Sequence, residues 1–317
     1  MTGPRIEGYI TDPATTTPPW VAIVVPFLHG RAPPGMCPFV KLQGLENYFV
    51  LVDQRHCDVM PTSEDAVRIC NPRIGIGAEQ LLVLRHPSPA ARARGAYAAL
   101  TIINIDGRVA GACGNATRCV ASLLLHEAGR DRLAIETDAG VLDCKRAEGG
   151  NISVRLGPIR TGWRDIPLAR AVETARLPLS SGPLQDGSAL SIGNPHVVFF
   201  VPQLDLEALV RYAPAIQNDP LFPEGVNVGM AEVVDDHTIR LAVWERPGIL
   251  TRACGTGACV AAFVALRRGL IERPDVDVHL PAGVLHIRVE AHDTPVMTGP
   301  VAYCCHGFVG MGVGGEQ

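Results

Sequence analysis

The chain has 317 residues, of which 28 are basic and 32 acidic, for a net charge of −4. Such a weak charge gives no general field for nucleic acid or an anionic membrane surface, and the length predicts about two domains. We find no apolar run near the roughly 20 residues that cross a bilayer, and no typical signal peptide at the start. We therefore expect a cytoplasmic globular protein with reduced thiols, and neither nucleic acid nor a membrane as partner.

In chain order, residues 1–36 come first, and they are rich in Pro, Thr and Gly without a sustained hydrophobic period. We expect them to form a flexible N-terminal extension. Regular structure is predicted to begin near Phe39, with a first clear strand at 49–52.

An internal duplication organises the rest of the chain. Cys113 opens the sequence Cys-Gly-Asn-Ala-Thr-Arg-Cys, and Cys254 opens Cys-Gly-Thr-Gly-Ala-Cys. An apolar helical run follows each cysteine, at 116–127 and 258–266, and a glycine stands where each run should end. A short strand and the tetrapeptide Ala-Gly-Val-Leu then follow in both copies.

The repeated unit predicts an α+β fold. A helix that is apolar nearly all round must be enclosed on most sides, so we expect each copy to be a barrel-like, mainly antiparallel sheet around a central helix. Two such pseudo-symmetric domains should carry the chemistry where they face each other, because pockets form at domain interfaces.

The two Cys-Gly pairs predict the chemistry. A cysteine at a helix N-terminus is more often a thiolate, and free N–H groups there favour a bound anion. Two such helix ends facing across a cleft would hold a carboxylate with a sulfur on each side of its α-carbon. We therefore interpret Cys113 and Cys254 as a general base and a general acid that invert this carbon without a cofactor. Carboxylate-binding N–H groups are expected at Gly114, Asn115, Gly255 and Thr256.

Two other interpretations apply to the cysteines. A buried cysteine is usually an inert small apolar residue, and we assign Cys119 and Cys259 to that class. A zinc site is disfavoured, because the spacings after Cys113 and Cys254 are not Cys-x-x-Cys. We therefore predict no metal.

These motifs, together with Ser-Ile-Gly-Asn-Pro-His at 191–196 and Val-Trp-Glu-Arg at 243–246, identify the chain as similar to the diaminopimelate epimerase family from about residue 40 to residue 300. The resemblance implies cofactor-free interconversion of L,L- and meso-diaminopimelate by two thiols, in lysine and peptidoglycan precursor synthesis. It also implies a first domain of residues 37–157 plus 298–317 and a second of 158–297. The resemblance allows a homodimer, which no sequence feature settles.

Substrate-binding residues carry over by motif. The resemblance implies that asparagines and an arginine grip the distal end of the substrate, that a glutamate holds the ammonium or tunes a cysteine, and that His196 supports the thiols. The implied substrate-binding residues are Asn47, Gln80, Asn104, Asn194, Asn227, Glu245 and Arg246.

Two rival functions remain. Glu46, Tyr48, Arg108 and Pro247 depart from the family's usual motifs beside the substrate residues. A related racemase acting on another amino acid, or a degenerate non-catalytic binding protein of the same fold, would also fit these departures. Retention of Arg246 with the asparagines favours a substrate that has a distal carboxylate.

Overall fold

The computed structural model describes residues 18–56, 60–111 and 113–312. Its α-helices are α1 (Val21–Leu28), α2 (Ser63–Cys70), α3 (Pro89–Ala93), α4 (Gly114–Glu127), α5 (Leu206–Gln217) and α6 (Gly255–Arg267). The strands of the first half are β1 (Met36–Gly44), β2 (Asn47–Asp53), β3 (Gln80–Arg85), β4 (Ala96–Asn104), β5 (Val109–Ala110), β6 (Arg132–Thr137), β7 (Gly140–Arg146) and β8 (Ile152–Arg155). Those that follow are β9 (Ser188–Ser191), β10 (Pro195–Phe200), β11 (Asn227–Asp235), β12 (Thr238–Glu245), β13 (Ile249–Thr251), β14 (Asp275–Leu280), β15 (Gly283–Glu290), β16 (Thr294–Gly299) and β17 (Ala302–Gly310).

The strand order repeats once along the chain. In the first half β2 runs parallel to β3, β3 antiparallel to β4, and β4 antiparallel to β5 but parallel to β6. In the second half β10, β11, β12, β13 and β14 repeat these pairings in the same order. The central helix enters at the same point of each copy, α4 after β5 and α6 after β13. The predicted α+β duplication is therefore confirmed.

Two strands join the halves into one sheet. β16 pairs with β15 on one side and with β8 on the other, and β17 runs antiparallel to β1. The end of the chain thus returns to the first half. This pairing supports the division that we propose, 37–157 plus 298–317 against 158–297, with the boundary at 298 inside the shared strand β16.

Each central helix is enclosed by strands of its own half. Twelve consecutive residues of α4, from Gly114 to Leu125, are buried, because strands surround an apolar helix on several sides. Both helices end as predicted, at Gly129 and Gly269, where φ is 59° and 67°. The left-handed conformation suits glycine and returns the chain toward the sheet.

The N-terminal segment differs from the expectation of a flexible extension over 1–36. Residues 1–17 lie outside the described part of the chain, but α1 packs against α4 and β1. Its buried residues are Val21, Val24, Val25 and Leu28, which are spaced i, i+3, i+4 and i+7 and form one apolar face. This helical spacing explains why the segment forms a helix. The segment has only eight residues and lies among prolines, so the spacing was not recognised in the sequence. None of the helices in the described ranges has the length and apolar character that a membrane crossing requires.

Candidate active site

The N-termini of the two central helices meet at the side chain of Met297. A Cβ added to Gly114, the first residue of α4, would lie 2.2 Å from the Cε of Met297. One added to Gly255, the first residue of α6, would lie 2.7 Å from the Sδ of Met297 and 3.1 Å from the Oδ1 of Asn115. Only glycine allows both helices to approach this closely. The two Cys-Gly segments of the duplication therefore lie side by side.

Cys113 is the N-cap residue of α4 and is half-buried. Its Sγ is 3.9 Å from the Oδ1 of Asn47. Desolvation raises the pKa of the Cys113 thiol to about 11, against the lowering effect of backbone N–H groups at Ala116 and Asn115. Desolvation therefore outweighs the N–H groups of the first turn, and the Cys113 thiol is protonated at neutral pH, in contrast to the thiolate expected for an N-cap cysteine.

Cys254 occupies the equivalent N-cap position of α6 and is buried. Its Sγ accepts a hydrogen bond of 3.4 Å from the backbone N–H of Gly257 and lies 3.5 Å from the Oγ1 of Thr256. Desolvation and the nearby carboxylate of Glu245 raise the pKa of this thiol well above its usual value. Cys254 is therefore held more strongly in its protonated form.

Two amide side chains of the first half lie beside Cys113, and two others form a separate pair. The Nδ2 of Asn115 donates to the Oδ1 of Asn47 over 3.2 Å, and the Nδ2 of Asn47 donates to Glu79 over 2.5 Å. Gln80 and Asn104 face each other across β3 and β4, and the Nε2 of Gln80 donates to the Oδ1 of Asn104 over 2.8 Å. The Oε1 of Gln80 is buried and has no partner in the part of the chain that the structure describes, so it is available to accept a hydrogen bond from a bound molecule.

His196 is the centre of the polar contacts in the second half. Its Nε2 lies 3.2 Å from Asn194 Oδ1, 3.1 Å from Thr256 Oγ1 and 3.4 Å from Asn227 Nδ2. The ring is 1% exposed, and desolvation with the charge of Arg246 lowers the pKa of His196 to about 3. The imidazole is therefore neutral at physiological pH and orients its neighbours rather than supplying a charge.

The end of β12 brings Glu245 and Arg246 to the same place. The carboxylate of Glu245 accepts a 2.6 Å hydrogen bond from the hydroxyl of Thr251 and also contacts Cys254, and desolvation raises its pKa. The backbone N–H of Arg246 donates to the Oδ1 of Asn227 over 3.0 Å, and its guanidinium donates to the Glu224 carbonyl oxygen over 2.9 Å. Asn227 thus fixes the backbone from which the Arg246 guanidinium extends.

The predicted residues therefore form one group around each cysteine and one separate pair. Asn47 contacts Cys113 and binds Asn115, whereas Thr256 and Glu245 contact Cys254 directly. His196 links Thr256 to Asn194 and Asn227. Hydrogen bonds in the described ranges do not connect the Gln80–Asn104 pair to either group.

Sequence reasoning missed Glu79, Arg118 and Met297. Arg118 lies inside the cysteine motif itself, five residues after Cys113, and a charged residue in an otherwise apolar helical run was the available signal. Glu79 directly precedes Gln80. Met297 carries no signal, because a lone methionine in a strand is usually a core residue.

One group among the described residues has a spacing suited to a metal ion, namely His29, Asp53 and His56, whose ligand atoms lie within 4.8 Å of one another. Both oxygens of Asp53 already accept hydrogen bonds from Arg55, which also binds Glu127. Glu127 ends α4, about 20 Å along the helix from Cys113. We interpret this group as an ion-pair network that anchors the far end of α4.

Comparisons with known proteins agree on one family. The profile described as Diaminopimelate epimerase matches residues 39–161 and 188–304. A diaminopimelate epimerase of Rhizorhabdus wittichii is 46% identical over 84% of this chain and 92% of its own length. One of Rhodospirillum centenum is 41% identical over 83% and 89%.

Solved structures resemble the fold at lower identity. A hydroxyproline epimerase from Agrobacterium vitis superimposes with a TM-score of 0.60 and 14% identity, over 87% of this chain and 93% of that chain. A phenazine biosynthesis protein of the PhzF family from Bacillus anthracis gives a TM-score of 0.60 at 16% identity, over 86% and 99%. At these identities the likeness shows the fold alone.

Proposed function

The chain belongs to the diaminopimelate epimerase family, and we propose that it inverts one α-carbon of L,L-diaminopimelate to give the meso isomer. The observation that carries the proposal is the meeting of two helix N-termini at Met297, since each of these helices has a cysteine as its N-cap residue. The family of the relatives supplies the substrate, and the geometry supports the chemistry.

The reaction needs one thiolate and one thiol. In one direction the thiolate removes the α-proton, so that the C–H bond breaks and an S–H bond forms. The opposite thiol then gives its proton to the other face of the carbon and becomes a thiolate. The protein ends with the opposite protonation pattern and returns to the starting one by exchange with water or by the reverse turnover.

The helix N-termini stabilise the charge that develops on the substrate. In the proposed complex the α-carboxylate binds the free N–H groups at Gly114, Asn115, Gly255 and Thr256. Deprotonation places additional negative charge on this carboxylate. The positive N-terminal ends of the α4 and α6 dipoles stabilise this charge, and they are already oriented toward it before the reaction. Neutral His196 keeps Thr256 in place and takes no proton in this scheme.

The distal end of the substrate is assigned to amides and one guanidinium. Arg246 would bind the distal carboxylate, because a guanidinium binds two oxygens in one plane. Asn47, Gln80, Asn104, Asn194 and Asn227 would orient the zwitterion without adding charge. We also propose that the protein works in the cytoplasm, and homodimer formation remains a prediction.

Conversion of L,L-diaminopimelate to the meso isomer tests the proposal, measured by chiral chromatography in reducing buffer. We expect conversion with the parent protein, loss by at least about a thousandfold in Cys113→Ala and in Cys254→Ala, since each removes an acid–base group, and retention in Cys70→Ala, whose thiol is buried away from the site. No conversion at high protein concentration would contradict the proposal. Inversion of another amino acid would then identify a related racemase, and binding without inversion a non-catalytic protein.

A further inference from the structure

Arg118 is a buried guanidinium beneath the candidate site. Its side chain is 0% exposed, and no carboxylate among the described residues lies within ion-pair distance of it. Its Nη1 donates to the Oδ1 of Asn115 over 2.9 Å and lies 3.3 Å from the Met297 sulfur. The Nε and Nη2 atoms have no hydrogen-bond partner among residues 18–56, 60–111 and 113–312.

Two glycines leave room for this charge. A Cβ added to Gly44 would lie 3.2 Å from the Nη2 of Arg118, and one added to Gly299 would lie 3.4 Å from its Nε and Cζ. The guanidinium is therefore enclosed by β1, β16 and its own helix. It is buried, although a long arginine side chain usually keeps its head in solvent.

The position of this cation is unfavourable for stability alone. Burial of an unpaired charge is costly, and a guanidinium does not lose its proton at physiological pH. An anion nearby would offset this cost.

Cys113 is the thiol of the candidate site on which this positive charge acts. The thiols that interact electrostatically with Arg118 are those of Cys119, Cys113 and Cys259. Cys119 and Cys259 are 0% exposed within the helices, whereas Cys113 is half-buried at the site where the two N-termini meet. Hydrogen bonds also connect Arg118 to this thiol. Arg118 donates to the Oδ1 of Asn115, and the Nδ2 of Asn115 and the Cys113 thiol both donate to the Oδ1 of Asn47.

The Cys254 thiol has a negatively charged neighbour. Glu245 contacts Cys254, and the protonated thiol is the form that donates a hydrogen bond to a carboxylate. Glu245 raises the pKa of both thiols, but its contact is with Cys254, whereas the charge of Arg118 lowers the pKa of Cys113.

We propose that Arg118 is a positioning residue for the proposed reaction, which holds Asn115 and Asn47 against Cys113 and supplies a positive charge that makes Cys113 the first of the two thiols to ionise. Cys254 then ionises second. This inference rests on the proposed function for its chemical meaning, but its consequence for the two thiols can be measured without any substrate.

The test is the pH dependence of alkylation of Cys113 and Cys254 by iodoacetamide, followed by peptide mass spectrometry of the folded full-length protein. We expect the midpoint for Cys113 to lie below that for Cys254. Arg118→Gln and Arg118→Met should move the Cys113 midpoint to higher pH by about one unit or more, which is about 1.4 kcal/mol. Arg118→Lys keeps the charge and should shift it less. Arg118→Gln and Arg118→Met should also lower kcat. The pH above which activity rises, as Cys113 ionises, should be higher in both variants.

Arg55→Met is the matched control, because Arg55 is also a largely buried arginine but binds Asp53 and Glu127 at the far end of α4. It should destabilise the fold and leave the Cys113 midpoint unchanged. A folded Arg118→Gln or Arg118→Met protein with an unshifted midpoint would overturn the proposal. If neither variant folds, a parent protein in which Cys254 titrates before Cys113 would overturn it. If the parent protein inverts diaminopimelate but the Arg118 variants leave the Cys113 midpoint unshifted, only the role of Arg118 is refuted and the proposed function stands.

Discussion

At the scale of single residues, the two cysteines have the same helix position but different electrostatic surroundings. Cys254 is buried beside Glu245, whereas Cys113 is half-buried beside amide groups and the buried cation Arg118. Such a difference decides which of the two thiols ionises first in the free protein.

The Glu245 carboxylate is expected to control the protonation of Cys254. In Glu245→Gln the negative charge is lost, so the pKa of Cys254 should fall and its alkylation midpoint should move to lower pH. Glu245 also raises the pKa of Cys113, so the Cys113 midpoint should shift in the same direction. The shift should be smaller, because the contact of Glu245 is with Cys254. Glu232→Gln, at a partly buried glutamate paired with Arg240, is the control and should change neither midpoint. A rise in the Cys254 midpoint would contradict this account.

His196 should make stability depend on pH. Its pKa is about 3 in the folded protein and near 6.5 in the unfolded chain, so the unfolded chain binds more protons between these values. The free energy of unfolding should therefore fall by up to about 2 kcal/mol between pH 7 and pH 5 on account of this residue. Urea unfolding at both pH values should show a smaller fall in His196→Gln, whereas exposed His86→Gln should keep the parent slope. Equal slopes in all three proteins would refute the assignment.

At the scale of elements, the approach of α4 and α6 depends on a missing side chain at each N-terminus. Gly114→Ala places a methyl group against the Cε of buried Met297 and should destabilise the protein by about 1–3 kcal/mol. In a Met297→Ala background the same change should cost about 1 kcal/mol less, which chemical unfolding of the four proteins of the cycle would measure. Gly157→Ala, where an added Cβ meets nothing within 4 Å, is the control. Additive effects of the Gly114 and Met297 changes would show that the two side chains do not conflict.

Helix α1 is expected to contribute to stability as part of the first half. Leu28→Ala should lower the free energy of unfolding by about 2–4 kcal/mol, because Leu28 is 3% exposed in the contact with the core. Ile23, on the same helix, is 61% exposed, and Ile23→Ala should change stability by no more than about 0.5 kcal/mol. Equal, small effects would mean that α1 does not dock in solution.

At the scale of the whole molecule, the sequence predicted the parts that repeat. Both central helices, their terminal glycines, the following hairpins and the place of Cys113 and Cys254 follow from the duplication, since a feature that occurs twice is rarely accidental. The helix α1 was missed because its apolar face is short and lies among prolines. Arg118 was missed because the residue type favours the surface, and only the three-dimensional enclosure by β1 and β16 shows the burial.

In the proposed reaction two thiols act on opposite faces of one carbon. This can be tested by proton NMR with mass spectrometry of both isomers at early times, after L,L-diaminopimelate is mixed with the protein in deuterated, reducing buffer. We expect deuterium at the α-carbon of the meso product while unreacted L,L substrate still carries its proton, because the thiol that delivers the new hydrogen has exchanged with solvent. Deuterium in both isomers at the same rate from the start would contradict it, since one base would then serve both faces.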